Sequence, residues 1–138
     1  MALVQGHNCD ALMLMCMDFR FQDWVPAKVA DLTQANSYDL ISYAGGALTL
    51  GSDDAAEREI LLSQIRLSSR LHGINSVVLV DHEDCGAYGG SKAFASSDEE
   101  LACHKGKMTK ARVAIAEQLP HLRVLLSYAW LDGTVNLL

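Results

Sequence analysis

Two short stretches hold the residue types that do metal chemistry. Cys16-Met17-Asp18-Phe19-Arg20 sets a thiol, a carboxylate and a guanidinium at alternate positions. His82-Glu83-Asp84-Cys85-Gly86 sets an imidazole three residues before a second thiol. Two thiols and one imidazole suit a soft-to-borderline divalent ion. Zinc fits best, with a fourth position left open. Three protein ligands plus water is a catalytic zinc arrangement, whereas four is a structural one. Contacts of about 2.3 Å to sulfur and 2.1 Å to nitrogen are expected. If the chain stays extended after Cys16, then Cys16, Asp18 and Arg20 share one face. Arg20 can then grip Asp18 in a bidentate pair. A carboxylate fixed in this way can accept a hydrogen bond from metal-bound water, or swing in as a fourth ligand.

The surrounding pattern must bring these stretches together. Ala11–Met15 reads as a short buried strand that ends at Cys16, and the β-branched run Ser76–Val80 reads as a central parallel strand that ends just before His82. A helix is expected over Phe21–Gln34 with Pro26 near its start, and a strand over Asp39–Ala44 closed by Gly45-Gly46. Ser52 reads as the N-cap of a helix running to about Leu71, with Ala56, Ile60, Leu67 and Leu71 on its apolar face, Leu61 and Ile65 beside it, and Gly73 as its C-cap. A glycine-bearing loop, His82–Ser91, precedes a helix around Asp98–Leu119, with the acidic Asp98-Glu99-Glu100 run at its start. A last strand, Leu122–Leu126 and on toward Trp130, leads to an Asp132-Gly133 turn and the apolar tail Val135–Leu138. This alternation predicts an α/β fold, a mainly parallel central sheet flanked by helices on both faces. Ligands in such sheets bind where parallel strands end, and both motifs sit there.

Composition bounds the rest. A chain of 138 residues, half of them hydrophobic, is expected to form a single domain over 1–138 with a genuine core. With 11 Lys and Arg against 17 Asp and Glu the net charge is −6, which disfavours nucleic acid and anionic membranes as partners. The longest apolar run, Ala11–Met17, is too short to span a bilayer and lacks the flanks of a secretion signal. Four cysteines are too few for a disulfide scaffold, so a reduced, cytoplasmic protein is expected.

The two motifs together resemble those of the β-class carbonic anhydrases, Cys-x-Asp-x-Arg after the first strand and His-x-x-Cys, followed by Gly, after a later one. The resemblance runs over roughly Ala11–Gly90 and weakens beyond. It implies that Cys16, His82 and Cys85 bind Zn²⁺ and that Asp18 and Arg20 form the catalytic carboxylate–guanidinium dyad. It implies reversible hydration of CO₂ to bicarbonate by zinc-bound hydroxide, in a homodimer or higher homo-oligomer with active sites at subunit interfaces. The ligand set is formally neutral, so it should acidify its water less than a tris-imidazole site, where the pKa is about 7. Three departures stand out. Only ten residues precede the first strand, so the family's helical N-terminal arm is expected to be absent. Ser42-Tyr43-Ala44-Gly45 stands where the family often has Arg-Asn-Ala-Gly, and a substrate-positioning glutamine has no match.

Other readings compete. The same zinc site could hydrolyse carbon disulfide or carbonyl sulfide, or survive in a non-catalytic zinc-binding homologue. Cys85 could be a nucleophile activated by His82, but a phosphatase-type loop needs Arg six residues on and Ser91 stands there. Cys9 with Cys103-His104 makes a poor second metal site, because neighbouring helix residues point about 100° apart. Met13, Met15 and Met17 are expected to fill the core. The loop glycines are expected to let the backbone turn tightly beside the metal. His7, Tyr88 and His104 are candidate proton relays. The apolar tail is expected to leave a sheet edge open to self-association.

Overall fold

The computed structural model describes residues 6–138. The expected absence of an N-terminal arm falls partly on residues 1–5, which lie outside the described residues. The elements run β1 (Ala11–Met15), α1 (Val25–Thr33), β2 (Tyr38–Ser42), α2 (Ala55–His72), β3 (Ser76–His82), α3 (Ser97–Gln118), β4 (Arg123–Ala129) and β5 (Val135–Leu137). The sheet order is β2-β1-β3-β4-β5. The first four strands are mutually parallel, and β5 pairs antiparallel with β4. The tail therefore forms a strand of its own, turning back after Gly133, whose φ of 91° suits glycine.

The pleat divides the core into two layers. Leu12 and Leu14 of β1 and Val77 and Leu79 of β3 join Leu61, Ile65, Met108 and Ile115 of α2 and α3. The alternate residues Met13, Met15, Val78 and Val80 join Phe21, Val25 and Val29 on the α1 side. Helices thus cover both faces, and β1 and β3 are buried on both sides, as continuous apolar runs require. Both strands end at the same edge, with Met15 opposite Val80.

Several local expectations shift. The first helix begins at Val25, because Phe21–Trp24 forms tight turns in which Asp18 O accepts from Phe21 N–H and Phe21 O accepts from Val25 N–H. Asp54, rather than Ser52, caps α2: its carboxylate accepts from Ala56 N–H at 2.8 Å, while Ser52 Oγ accepts from Asp54 N–H one step earlier. The buried face of α2 is Leu61, Leu62, Ile65 and Ser68. Leu61 and Ile65, expected beside the apolar face, lie at its centre, while Ile60 and Leu71 point outward, so the face is turned by about one residue, or 100°. Met13 and Met15 fill the core, but Met17 is 62 % exposed, because β1 stops at Met15.

Candidate metal centre

The C-terminal ends of β1 and β3 bring the two motifs side by side. Cys16 follows β1 directly, His82 is the last residue of β3, and Cys85 lies one turn further on. One donor atom from each of Cys16, His82 and Cys85 lies within 4.8 Å of the other two, and all three residues are buried. The two sulfurs are 3.9 Å apart. Zn–S bonds of about 2.3 Å at a tetrahedral angle would put them about 3.8 Å apart. His82 Nδ1–H donates to the Glu83 carbonyl at 2.7 Å, which leaves the Nε2 lone pair for a ligand. Nε2 is buried and has no hydrogen-bond partner. Phe21 packs on the ring at 4.3 Å and fixes its plane. The donor set therefore fits the ion that its chemistry suggests.

Thiol electrostatics agree. Cys16 is the sulfur that loses its proton readily, because the Cys85 thiol donates to it and the Gly45 N–H approaches at 3.4 Å, which together outweigh burial. Cys85 keeps the shared proton, held by the Cys16 thiolate and by burial. Burial alone would push the His82 imidazole down. The neighbouring Cys16 sulfur and the Glu83 carbonyl reverse that and raise it. A divalent ion held by Cys16, His82 and Cys85 would take the place of the shared proton.

Asp18 and Arg20 meet by a different route from the one expected. The chain does not stay extended. It folds into an Asx turn in which Asp18 Oδ1 accepts from the Arg20 backbone N–H at 2.9 Å. The guanidinium then grips the carboxylate through Nε at 3.1 Å and Nη2 at 2.7 Å. Arg20 holds the Asp18 carboxyl below its usual range. Asp18 Oδ2 stands 3.9 Å from His82 Nε2, beside the position an ion would take. A depression of about 390 Å³ opens above, between Asp18, Phe19 and the Gly45 and Gly86 backbones.

Sequence reasoning missed three buried or bridging carboxylates. Asp84, inside the second motif, accepts from Arg20 Nη1 at 3.0 Å, and its carbonyl accepts from Nη2 at 3.0 Å. The two motifs are thereby laced together. Asp84 sits at φ 60°, an unusual conformation for a residue with a side chain. Its N–H donates to Glu100, which is 2 % exposed and also accepts from Ser91 Oγ. The acidic run does start a helix, but its third member points inward to support the loop. Asp81, 1 % exposed, accepts from Ala47 N–H at 3.2 Å, Tyr88 O–H at 2.8 Å and His104 Nδ1–H at 2.7 Å. It ties the Gly45–Ala47 turn to the Gly86–Tyr88 turn, the two walls of the depression. Gly46 is required there, since a Cβ would meet Asp81 Oδ1 at 2.8 Å and φ is 56°. Tyr88 and His104 are thus bound to Asp81, and His7 lies at the opposite end of the sheet, against His72. A strand-terminal Asp beside a ligand His was the available signal for Asp81. Nothing local marked Glu100.

The fold and this site define a class, the α/β fold of the β-carbonic anhydrases with a Cys₂His pocket at the strand ends. A family model described as "Putative carbonic anhydrase" matches residues 6–137, and the chain belongs to that family. An uncharacterized protein of Rickettsia conorii is 30 % identical over 134 residues, covering 94 % of this chain and 72 % of that one. Among solved structures, β-carbonic anhydrase isoform I of Trichomonas vaginalis aligns with a TM-score of 0.61 at 16 % identity, over 99 % of this chain and 86 % of that one. One of the tetrameric β-carbonic anhydrases of Sordaria macrospora aligns with a TM-score of 0.50 at 13 % identity, over 96 % and 82 %. These structures share the fold.

Proposed function

We propose that the chain is a zinc-dependent lyase that hydrates CO₂ reversibly to bicarbonate, with Cys16, His82 and Cys85 as ligands and Asp18 and Arg20 as the working dyad. One observation carries this reading: two sulfurs 3.9 Å apart face a buried, unpartnered imidazole nitrogen, with an ionised carboxylate beside them. Bound zinc would supply Lewis acidity that makes water nucleophilic near neutral pH. The chain's own residues do the rest. Arg20 takes up the outer lone pairs of Asp18 and keeps the carboxylate turned to the pocket floor. Asp18 accepts a hydrogen bond from the attacking water and so aims its lone pair at the substrate carbon. The Gly45 and Gly86 backbones leave room for a small, linear molecule. The open mouth lets bicarbonate leave and the product proton pass to buffer.

Oligomerisation belongs to the same reading. Met17 is 62 % exposed and Phe19 85 % exposed at the mouth of the depression, and β5 leaves Leu137 and Leu138 at the sheet edge. Exposed apolar groups of this kind mark contact surfaces, and the Sordaria enzymes are tetramers. We assign a homodimer or larger assembly. A reducing cytoplasm would keep the ligand thiols available. No helix among the described residues is long and apolar enough to cross a membrane.

The test joins metal analysis of purified protein to stopped-flow CO₂ hydration, with carbonyl sulfide as the rival substrate. Expected are bound zinc that depends on Cys85 and CO₂ turnover that vanishes in Cys85→Ser. Sulfide release from carbonyl sulfide without CO₂ turnover would transfer the site to the rival substrate. Stoichiometric zinc with turnover of neither would make the protein a binding module.

A further inference from the structure

The opposite edge of the sheet carries a second cluster of ligating side chains. Cys9 lies just before β1, Asp39 is the second residue of β2, and His72 closes α2. They share no residue with the centre at the C-terminal edge. One donor atom from each, the Cys9 sulfur, an Asp39 oxygen and a His72 ring nitrogen, lies within 4.8 Å of the other two. Cys9, weighed in the sequence only together with Cys103-His104, has other donors beside it. Its neighbours come from β2 and α2 rather than from Cys103-His104.

The positions are fixed by backbone and side-chain contacts. Cys9 N–H donates to the His72 carbonyl at 3.0 Å, which locks the two residues together. Asp39 pairs in register with Leu12 and so faces α2. There its Oδ2 accepts from Ser68 Oγ at 2.7 Å and lies 2.7 Å from His72 Nδ1. The side chains of His72 and Asp39 are 34 % and 31 % exposed, and a depression of about 180 Å³ lined by His7, Cys9, Asp39 and His72 opens over them. An ion can enter from solvent. The His7 ring stacks 6.4 Å from His72 and supplies a further imidazole at the rim.

We propose that Cys9, Asp39 and His72 form a second divalent-metal site, weaker than the first, which takes a borderline transition ion such as Zn²⁺ or Co²⁺. One thiol, one imidazole and one carboxylate are a donor set such ions accept. Bonds of about 2.0–2.3 Å at tetrahedral angles need donors about 3.2–3.7 Å apart, so an ion entering between His72 Nδ1 and Asp39 Oδ2, now 2.7 Å apart, must part them by at least about 0.5 Å and displace their hydrogen bond. Half-exposed side chains can move that far. The bound ion clips the segment before β1 to the edge strand and to the end of α2. A Cys–His–Asp nucleophile is the rival use of the same residues. Burial and the adjacent Asp39 raise the Cys9 thiol and leave it unactivated for that role.

Cobalt binding to the full chain tests the site, read as thiolate-to-metal absorption and as bound equivalents after gel filtration. The Cys16→Ser/Cys85→Ser variant should retain about one equivalent, and adding Cys9→Ala or His72→Gln should abolish it. With the first site intact, either of those two substitutions should lower total cobalt by about one equivalent. These two arms decide the matter if the double-serine variant fails to fold. Saturating cobalt should also slow alkylation of Cys9, mapped by mass spectrometry, at least about tenfold. Cobalt counts unchanged by Cys9→Ala and His72→Gln would overturn the proposal. So would alkylation of Cys9 at the same rate with and without metal. Because this site shares no ligand with Cys16, His82 and Cys85, its failure and that of the proposed CO₂ chemistry are read separately.

Discussion

The two edges of one sheet hold similar donors in different states of readiness. At the C-terminal edge Cys16, His82 and Cys85 are 7 %, 3 % and 1 % exposed. His82 spends its spare proton on a backbone carbonyl, so its other nitrogen already faces the ion's place. At the N-terminal edge the side chains are half-exposed, and the His72 ring nitrogen that bonds Asp39 is engaged at 2.7 Å. The difference follows from topology. Strands β2 and β3 leave the sheet into turns bearing Gly45-Gly46 and Gly86, Gly89 and Gly90, which flank the first cluster. Cys9 instead enters the sheet beside the solvent-facing edge strand β2. Preorganisation, more than the list of donors, separates a tight centre from a loose one.

The largest effect should come from breaking the prepared edge. Cys85→Ser replaces a ligating sulfur of the proposed centre with a hydroxyl and should leave the buried imidazole without an ion. Metal affinity at that centre should fall by more than about 100-fold, beyond the usual cost of losing an outer partner. Equilibrium dialysis would show this, and CO₂ hydration should drop to background. Chelation should separate the two edges. The N-terminal ion should leave first with a small change in melting temperature. Removal of the C-terminal ion should lower it by about 10 °C or more, since metal at about 1,000 times its Kd adds about 4 kcal/mol. A single concerted loss with one thermal shift would remove the contrast.

Asp81→Asn sharpens it next. The amide cannot accept from Ala47, Tyr88 and His104 together, so at least one buried donor loses its partner. A cost of about 2–3 kcal/mol is expected, read by denaturant unfolding. The Ala47 and Tyr88 turns should loosen, with metal affinity at the C-terminal edge falling about 10-fold or more. The N-terminal edge should bind cobalt as before. Equal losses at both edges would mean that Asp81 serves the fold as a whole rather than the pocket.

What the sequence disclosed follows the same line. The apolar runs of β1 and β3 and the spacing of Cys16, Asp18, Arg20, His82 and Cys85 were legible, because buried strands and ligand sets are local patterns. The alternation of strands and helices also pointed to the mainly parallel sheet with helices on both faces, though not to its order β2-β1-β3-β4-β5, and the three residues of β5 read only as an apolar tail. The supporting carboxylates were not legible. Glu100 resembles any acid in a first helical turn until the loop from Asp84 to Ser91 folds onto it. Cys9, Asp39 and His72 are far apart in the chain and follow no motif spacing. Met17 shows the converse: an apolar alternation continued on paper past the point where the Asx turn at Asp18 ends the strand.

The smallest effect concerns Arg20, which joins the two motifs through Asp18 and Asp84. Arg20→Gln removes the grip on Asp18 and the bridge to Asp84 while leaving Cys16, His82 and Cys85 in place. With a third of the Arg20 side chain exposed, the loss of stability should stay below about 1 kcal/mol. Metal content should be unchanged. The freed Asp18 can then rotate toward the ligands or out to solvent, so its hold on the attacking water is lost. Turnover should fall about 10- to 100-fold, within the range of a positioned proton acceptor. The fall should lie mainly in kcat rather than KM, because CO₂ offers Arg20 no charge to bind. Arg20→Lys should recover little, since a lysine cannot make the paired contacts to Asp18 and reach Asp84 as well. Full recovery by lysine would reduce the arginine to a simple positive charge. Loss of metal in Arg20→Gln would mean that the dyad builds the centre rather than serving it.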